Sequence, residues 1–291
     1  MINILFDMET ADPDDFLTLC FLLSHPDVNL TAVTVTPGGK LQVGLVKKVL
    51  EIMETDIPVG ARNPDHQKQS VSSYYHKLMG HIPEAEADDY GYVVMASTLE
   101  KYPDLTILTG APLPNLGLLI GNFPDIKLKR WVAQGGFAGD NIVPKEKRLP
   151  KFNGKILCPT FNFNGDVKSA KLLLSSDKIE KRICISKNVC HGVVYTQDLH
   201  EEYAAIKNKT KATALIYKAM DIYLKKHPDG KKLHDPLAAC TAINENVCEL
   251  KEVEIYREKG MWGSRPRPDS GTWISISHNQ KLFENLFLFR E

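Results

Sequence analysis

Ile2-Asn3-Ile4-Leu5-Phe6 runs directly into Asp7-Met8-Glu9-Thr10-Ala11-Asp12-Pro13-Asp14-Asp15. The first five residues are apolar enough to form a strand buried on both faces. The acids that follow repel one another, and a folded chain keeps such a cluster where a cation neutralises it. Hard divalent ions such as calcium and magnesium take oxygen ligands. At the end of a buried strand, the acids would stand at its carboxyl edge, where open α/β sheets place their ligands. The opening therefore predicts an α/β fold with a metal site in an active-site crevice.

Working outward, strand-like and helix-like segments alternate. Asp14 to Leu23 is apolar nearly all round and reads as a central helix. Thr31 to Thr36 is β-branched and reads as a second strand, stopped by Pro37-Gly38-Gly39. Leu41, Leu45, Val46, Val49, Leu50 and Met53 share one helical face. Further strands are expected at Ile57–Val59, Leu105–Thr109, Arg130–Gln134 and Arg182–Ser186. Helices are expected at Leu113–Ile120, Ala212–Lys226 and Asp235–Ile243, with short terminal strands at Val253–Tyr256 and Trp273–Ile276. This pattern predicts a mostly parallel central sheet flanked by helices, a Rossmann-like open sheet. Two stretches break the rhythm, 61–90 and 137–165. The first is polar, with Pro and His, and reads as a functional lid. The basic run Lys145-Glu146-Lys147-Arg148 in the second reads as a solvated loop. With no repeat or low-complexity linker, residues 1–291 are expected to form a single domain.

Lys plus Arg and Asp plus Glu both total 36, so the formal net charge is zero. No global field favours nucleic acid or an anionic membrane. The apolar runs are too short to span a bilayer, and the first residues lack a basic n-region. The cysteines, Cys20, Cys158, Cys184, Cys190, Cys240 and Cys248, form no CxxC pair and read as buried reduced thiols of a cytoplasmic protein.

Several positions share one structural address. The acids after the first strand, Thr109 and Gln134 would all lie on the carboxyl edge of one parallel sheet. His234-Asp235-Pro236 begins a late apolar helix. Taken alone, Asp235 reads as its N-cap, Pro236 fits the first turn, and His234 reads as a surface histidine.

Read together, Asp7-x-Glu9, Asp14-Asp15, Leu108-Thr109-Gly110-Ala111-Pro112-Leu113-x-Asn115, Gln134-Gly135-Gly136, Phe161-Asn162 and His234-Asp235-Pro236-Leu237-Ala238 resemble the inosine-uridine nucleoside hydrolase family. The resemblance runs in order from Asp7 to about Trp273. It implies a calcium-dependent N-ribohydrolase acting in nucleoside salvage. By that resemblance Glu9, Asp15, Asp235 and the backbone oxygen of Thr109 hold Ca²⁺, with Asp7 in support. Asp14 and Asn162 match the ribose-binding residues, Asn141 or Asn153 matches a further one, and Gln134 is a substrate contact. His234 matches the histidine that assists the leaving base.

These residue types suit the chemistry. Breaking a C1′–N bond passes through an oxocarbenium-like transition state. A bound metal lowers the pKa of a water and orients it. Glu9 or Asp14 could take its proton. A histidine titrates near neutrality and can deliver a proton to a heterocycle. The expected partner is a small nucleoside, with no nucleic acid or membrane, and the expected assembly is a homo-oligomer.

The chain departs from the family pattern in places. Glu9 replaces an Asp, and one extra residue, giving Asp12, precedes Asp14-Asp15. Gly39 stands where the family has Asn. Thr160 stands where a Glu contacts the ribose 5′-hydroxyl, and about a dozen extra residues fill 144–157. These changes bear on substrate identity, and a modified nucleoside fits them. For the base, Tyr74, Tyr75, His76 and His81 are candidates to stack or close over it. Trp262 and His191 read as structural. Two rival functions are a haloacid-dehalogenase-like Mg²⁺ phosphatase, through Asp7-Met8-Glu9-Thr10 with Gly165-Asp166, and a non-catalytic nucleoside or ribose binder.

Overall fold

The computed structural model describes residues 1–66 and 71–290. Its strands are β1 (Ile2–Met8), β2 (Val28–Val35), β3 (Val59–Ala61), β4 (Asp89–Tyr90), β5 (Thr106–Thr109), β6 (Leu128–Gln134), β7 (Ile179–Ile185), β8 (Val194–Tyr195), β9 (Lys231–Lys232), β10 (Cys248–Glu258), β11 (Met261–Pro266) and β12 (Thr272–His278). Ten of them form one sheet in the order β11-β10-β12-β7-β6-β5-β1-β2-β3-β4. From β12 to β4 every pairing is parallel; β10 lies antiparallel to both β11 and β12. β8 and β9 pair separately. The mostly parallel sheet expected from the alternation is therefore present.

β1 is central, and its side chains serve both faces. Ile4 and Phe6 enter the apolar core on one side and Leu5 the core on the other, as the period of two requires. Each such fully buried side chain contributes roughly 1.5–3 kcal/mol. Chain order reverses at β1, with β2 on one side and β5 on the other. A crevice opens at the carboxyl ends of strands at such a switch point. Register sets its contents: Asp7 lies opposite Thr34 on β2 and Thr109 on β5. Thr109 pairs with Ala133, one residue before Gln134.

Some boundaries moved. The strand expected at 57–59 forms at Val59–Ala61. The terminal strands are longer, and β10 turns into β11, which has no counterpart among the expected elements. Helices Gly91–Lys101, Val167–Ser175, Gln197–Ile206 and Gln280–Phe287 were also not expected. The stretch 61–90, read as a lid, contains the helix Ser73–Met79 and β4, while residues 67–70 lie outside the described ones. Tyr75 is buried there and donates its hydroxyl to the Asp12 carbonyl, and Tyr74 donates to the Ala219 carbonyl. Tyr75 is core, which removes it from the candidates to stack on a base, and Tyr74 packs half-buried against the same core with its hydroxyl engaged. All six cysteines are free and buried. Among the described residues no helix is long and apolar enough to cross a membrane.

Candidate active site

The acidic opening folds as two pieces. Asp7 ends β1, and Asp14 and Asp15 sit in the first turn of the helix Pro13–Ser24, where Pro13 fits and carboxylates meet the positive end of the helix dipole. A second helix, His234–Ile243, starts beside them with Asp235 in its first turn. Asp235 is not its N-cap. Asp14, remote in sequence, satisfies the free amides of that helix: its Oδ2 accepts from the backbone N–H of His234 (3.1 Å) and Asp235 (3.4 Å).

One carboxylate oxygen from each of Asp14, Asp15 and Asp235 falls within 4.8 Å of the others, and all three residues are buried. Asp15 also accepts the Glu9 backbone N–H at 2.9 Å. Asp7 is fully buried. Its Oδ1 accepts from Thr34 Oγ1 (2.7 Å) and Asn115 Nδ2 (2.8 Å), while its Oδ2 has no partner among the described residues. Gly110 faces the same cluster, and a Cβ there would stand 2.8 Å from the Asp235 carboxyl carbon. Only glycine lets the chain after Thr109 approach so closely. The Thr109 side chain accepts from Trp131 Nε1 at 3.0 Å.

Charge at this edge is expensive. Burial pushes Asp7 up to about 7, although its two hydrogen bonds oppose the shift. Burial, then Asp14 and Asp12, push Glu9 up to about 7. Burial and the neighbouring acids hold Asp15 and Asp235 well above the carboxylate range. One cation sits among them. Lys231 on β9 is buried, with Nζ 2.7 Å from Asp12 Oδ1 and 3.2 Å from Asp14 Oδ1. Burial alone would depress its pKa, but Asp14 and Asp12 outweigh burial and raise it. A single ammonium does not balance six acids. The orphaned Asp7 oxygen, the three converging carboxylates and the all-oxygen donor set fit a hard divalent cation.

Above the acids lies a cavity of about 230 Å³, lined among others by Glu9, Asp14, Gln134, Thr160, Asn162 and His234. It lies near the lower end of small-molecule sites, roughly 300–1,000 Å³. A larger groove of about 870 Å³ crosses the far end of the sheet past Arg182, Glu254 and Arg257, but no buried carboxylate lines it. Asn162 is locked in place, with Nδ2 donating to the Gly110 carbonyl (2.8 Å), the Gln134 carbonyl (3.0 Å) and Gln134 Oε1 (2.8 Å). Thr160 is 3% exposed, and its hydroxyl has no partner among the described residues. Phe161 is 70% exposed at the cavity rim.

His234 and His191 face each other, ring centroids 4.8 Å apart. His234 Nδ1 lies 3.1 Å from Cys190 Sγ, and His191 Nδ1 lies 2.7 Å from Lys151 Nζ. Burial, reinforced by nearby lysines, pushes His234 down to about 3; burial, His234 and nearby lysines do the same to His191. Both rings are neutral at physiological pH in the free site.

Among the residues singled out from sequence, Glu9, Asp14, Asp15, Gln134, Thr160, Asn162, His234 and Asp235 line this cavity. Asp7 and Thr109 lie directly beneath it on the paired strands. Three expectations are corrected. His76 is exposed on the helix Ser73–Met79 and is not among the lining residues. Asn141 is exposed and donates to the Ser264 carbonyl, and Asn153 is exposed; neither lines the cavity. The residues 144–157 include two short 3₁₀ turns. At Gly39 the backbone has closed over the place of the family's Asn, since a Cβ would lie 2.7 Å from the His66 carbonyl oxygen. His191, read as structural, lines the cavity, as do Lys187 and Phe161. Lys231 carried no signal in a sequence rich in lysine. Asn115 was visible only as a motif member, and its bond to Asp7 required the fold. Trp262 is packing: it is buried edge-on to Phe163 and donates to Asn164 Oδ1. Asp166, needed by the phosphatase alternative, instead caps the helix Val167–Ser175 through Ser169.

Comparison with known proteins places the whole chain. The inosine-uridine preferring nucleoside hydrolase family matches residues 4–274. An uncharacterized protein of Aquifex aeolicus (strain VF5) is 30% identical over all of this chain and 99% of its own length. The pyrimidine-specific ribonucleoside hydrolase RihA of Salmonella newport (strain SL254) is 25% identical, covering 90% of this chain and 83% of that protein. In fold, a purine-preferring ribonucleoside hydrolase from Gardnerella vaginalis superposes with a TM-score of 0.74 at 17% identity, over 98% of this chain and 96% of that one. The chain thus belongs to the inosine-uridine preferring nucleoside hydrolase family and is a hydrolase of ribonucleosides.

Proposed function

We propose that the protein hydrolyses the N-glycosidic bond of a ribonucleoside to free base and ribose, with Ca²⁺ held by Asp7, Glu9, Asp15, Asp235 and the Thr109 carbonyl. The observation that carries this reading is the convergence of Asp14, Asp15 and Asp235 within 4.8 Å. When bound, the cation supplies Lewis acidity toward water and the sugar hydroxyls and relieves the repulsion among the acids.

The residues of the chain do the rest. Glu9 lines the cavity, makes no side-chain hydrogen bond among the described residues, and has a pKa raised to about 7. Its carboxylate, at the cavity lining and free of other partners among the described residues, is the group to take the proton of the attacking water. Asp14 is anchored by the amides of His234 and Asp235 and by Lys231, which suits it to hold the ribose diol. Asn162 and Gln134 form a rigid pair against the sugar. His234, neutral in the free site, donates a ring hydrogen bond to the departing base. Relatives named for pyrimidine and for purine nucleosides leave the base to this chain's own pocket. Phe161 offers an exposed ring on which either could stack, at roughly 1–3 kcal/mol. Such chemistry belongs to cytoplasmic nucleoside salvage.

Free ribose release from a panel of purine, pyrimidine and modified nucleosides tests the reading. Release should stop with chelator and return with Ca²⁺. Tight nucleoside binding with no base release in excess Ca²⁺ would identify a binder instead.

A further inference from the structure

The extra residues at 144–157 reach the cavity through one turn, Pro150–Phe152. Phe152 is buried there and meets the His191 ring edge-on, with centroids 5.5 Å apart at 86°. His191 also packs on His234 and lines the cavity with it. Lys151, exposed in the same turn, brings Nζ to 2.7 Å from His191 Nδ1 and 5.0 Å from the centre of the Phe152 ring. No carboxylate pairs with it among the described residues.

This contact fixes the place of a proton. An ammonium carries three donors and no acceptor, so Lys151 gives the hydrogen bond and Nδ1 receives it. The neutral ring then keeps its one hydrogen on Nε2. Nε2 makes no hydrogen bond among the described residues and is not closed off from solvent. His191 thus holds an unspent N–H donor on a residue that lines the cavity.

The departing base needs a proton, and a neutral imidazole is a poor source. Giving up its only ring hydrogen leaves an anion unless the other nitrogen is refilled at the same time. His234 has Cys190 Sγ at Nδ1. Refilling from that thiol leaves a buried thiolate, and burial pushes Cys190 up to about 12. His191 has an ammonium instead. Refilling from Lys151 leaves a neutral amine, and burial, then Lys232 and Lys187, lower the Lys151 pKa and ease that release.

Resting on the hydrolase reading, we propose that Lys151 and His191 form the proton relay that neutralises the departing base. As the C1′–N bond breaks, its electron pair leaves with the base, which takes the Nε2 hydrogen of His191. Nδ1 takes a proton from Lys151. Water supplies the hydroxyl at C1′ and loses its proton to Glu9. Afterwards a solvent proton returns to Nε2 and Nδ1 hands its own back to the exposed Lys151 amine. The sum is one water consumed, with ribose and protonated base released. His234 holds the base by its hydrogen bond, and His191 passes the proton.

The test has one readout without turnover or metal. Long-range ¹H–¹⁵N spectra of histidine-labelled protein, with His191 assigned by the signal lost in His191→Gln, should show its hydrogen on Nε2. A hydrogen on Nδ1 overturns the proposal. The second readout compares the best nucleoside with 4-nitrophenyl riboside, whose nitrophenolate departs without a proton. His191→Gln and Lys151→Met should each lower kcat on the nucleoside by about a hundredfold or more, the usual worth of a general acid, and change the nitrophenyl riboside by less than about threefold. Lys151→Arg separates relay from static contact. A guanidinium still donates to Nδ1 but does not give up its proton. The Nε2–H signal should stay in Lys151→Arg while nucleoside turnover falls as in Lys151→Met, with unchanged circular dichroism confirming each fold. Equal losses on both substrates, or normal nucleoside turnover in Lys151→Arg, overturn the relay and leave the hydrolase reading standing. A wild type that cleaves no riboside brings down both.

Discussion

The floor and the rim of the site are built on opposite principles. At the floor, six acids meet at the ends of β1 and two helices; all but Asp12 and Glu9 are buried, and Asp7, Asp14 and Asp15 accept hydrogen bonds from backbone or neighbouring side chains. At the rim, Lys151, Lys187 and Lys232 sit on loops and short elements in contact with water. Buried like charges are costly and persist only when something bound compensates them. Exposed ones cost little and act mainly through their field. The floor therefore suits a bound cation, and the rim presents positive charge to whatever enters the cavity.

The largest expected effect breaks the floor. Asp235→Asn or Asp15→Asn should lower kcat by at least about a thousandfold, as loss of metal-assisted activation does. Near-normal ribose release in both variants would show that the two helix starts do not share an ion. Glu9→Gln should cost about a hundred- to ten-thousandfold in kcat, the usual worth of a general base. Asp14→Asn should instead raise KM strongly, and a reversed split would exchange their roles.

Lys231→Met removes the only ammonium found among the acids in the described residues. Breaking a buried ion pair costs about 3–5 kcal/mol, and half-exposed Asp12 puts this case near the lower end. Urea unfolding without metal should show the loss, and Ca²⁺ should recover much of it. An unchanged midpoint without metal would mean that Lys231 compensates nothing.

The pH dependence follows from Asp7 and Glu9, both pushed up to about 7. An acid whose pKa is raised on folding stabilises the fold below its unfolded pKa. That contribution is lost as pH climbs from near 4 through 7. A cation competes for the same oxygens and releases their protons. The rise in Tm on adding Ca²⁺ should therefore be larger at pH 8 than at pH 5.5; a constant increment would contradict the site. The smallest effect belongs to His76→Ala, where exposure outside the cavity predicts less than about a twofold change in kcat/KM.

Legibility followed the same division. β1 and its acids could be read because strand, turn and carboxylates are contiguous, so local pattern carried the whole feature. His234-Asp235-Pro236 was readable as a helix start with an acid. What Asp235 does there was not, because Asp14 takes over the capping from 221 residues away. The stretch 61–90 misled, since polar composition resembles a lid whether or not the tyrosines turn inward. Gly91 opens a helix that composition alone did not signal, because its close approach to Gly60 depends on β3 lying alongside. Asn141 was matched by its place after the double glycine, and in the fold its amide is engaged by the Ser264 carbonyl on β11.

The sequence by itself determined the βα alternation of the first half, the parallel sheet and the acids at the end of its first strand, because periodicity and turn residues act over a few positions. Only the tertiary structure decided which acids converge, that Thr34 and Asn115 hold Asp7, that Lys231 lies among the carboxylates, and that Lys151 meets His191. Those pairings join residues tens to hundreds of positions apart, and the register of β1 between β2 and β5 and the packing of two helix starts bring them together. Burial then turns ordinary side chains into costly charges, and no reading of neighbours along the chain contains that term.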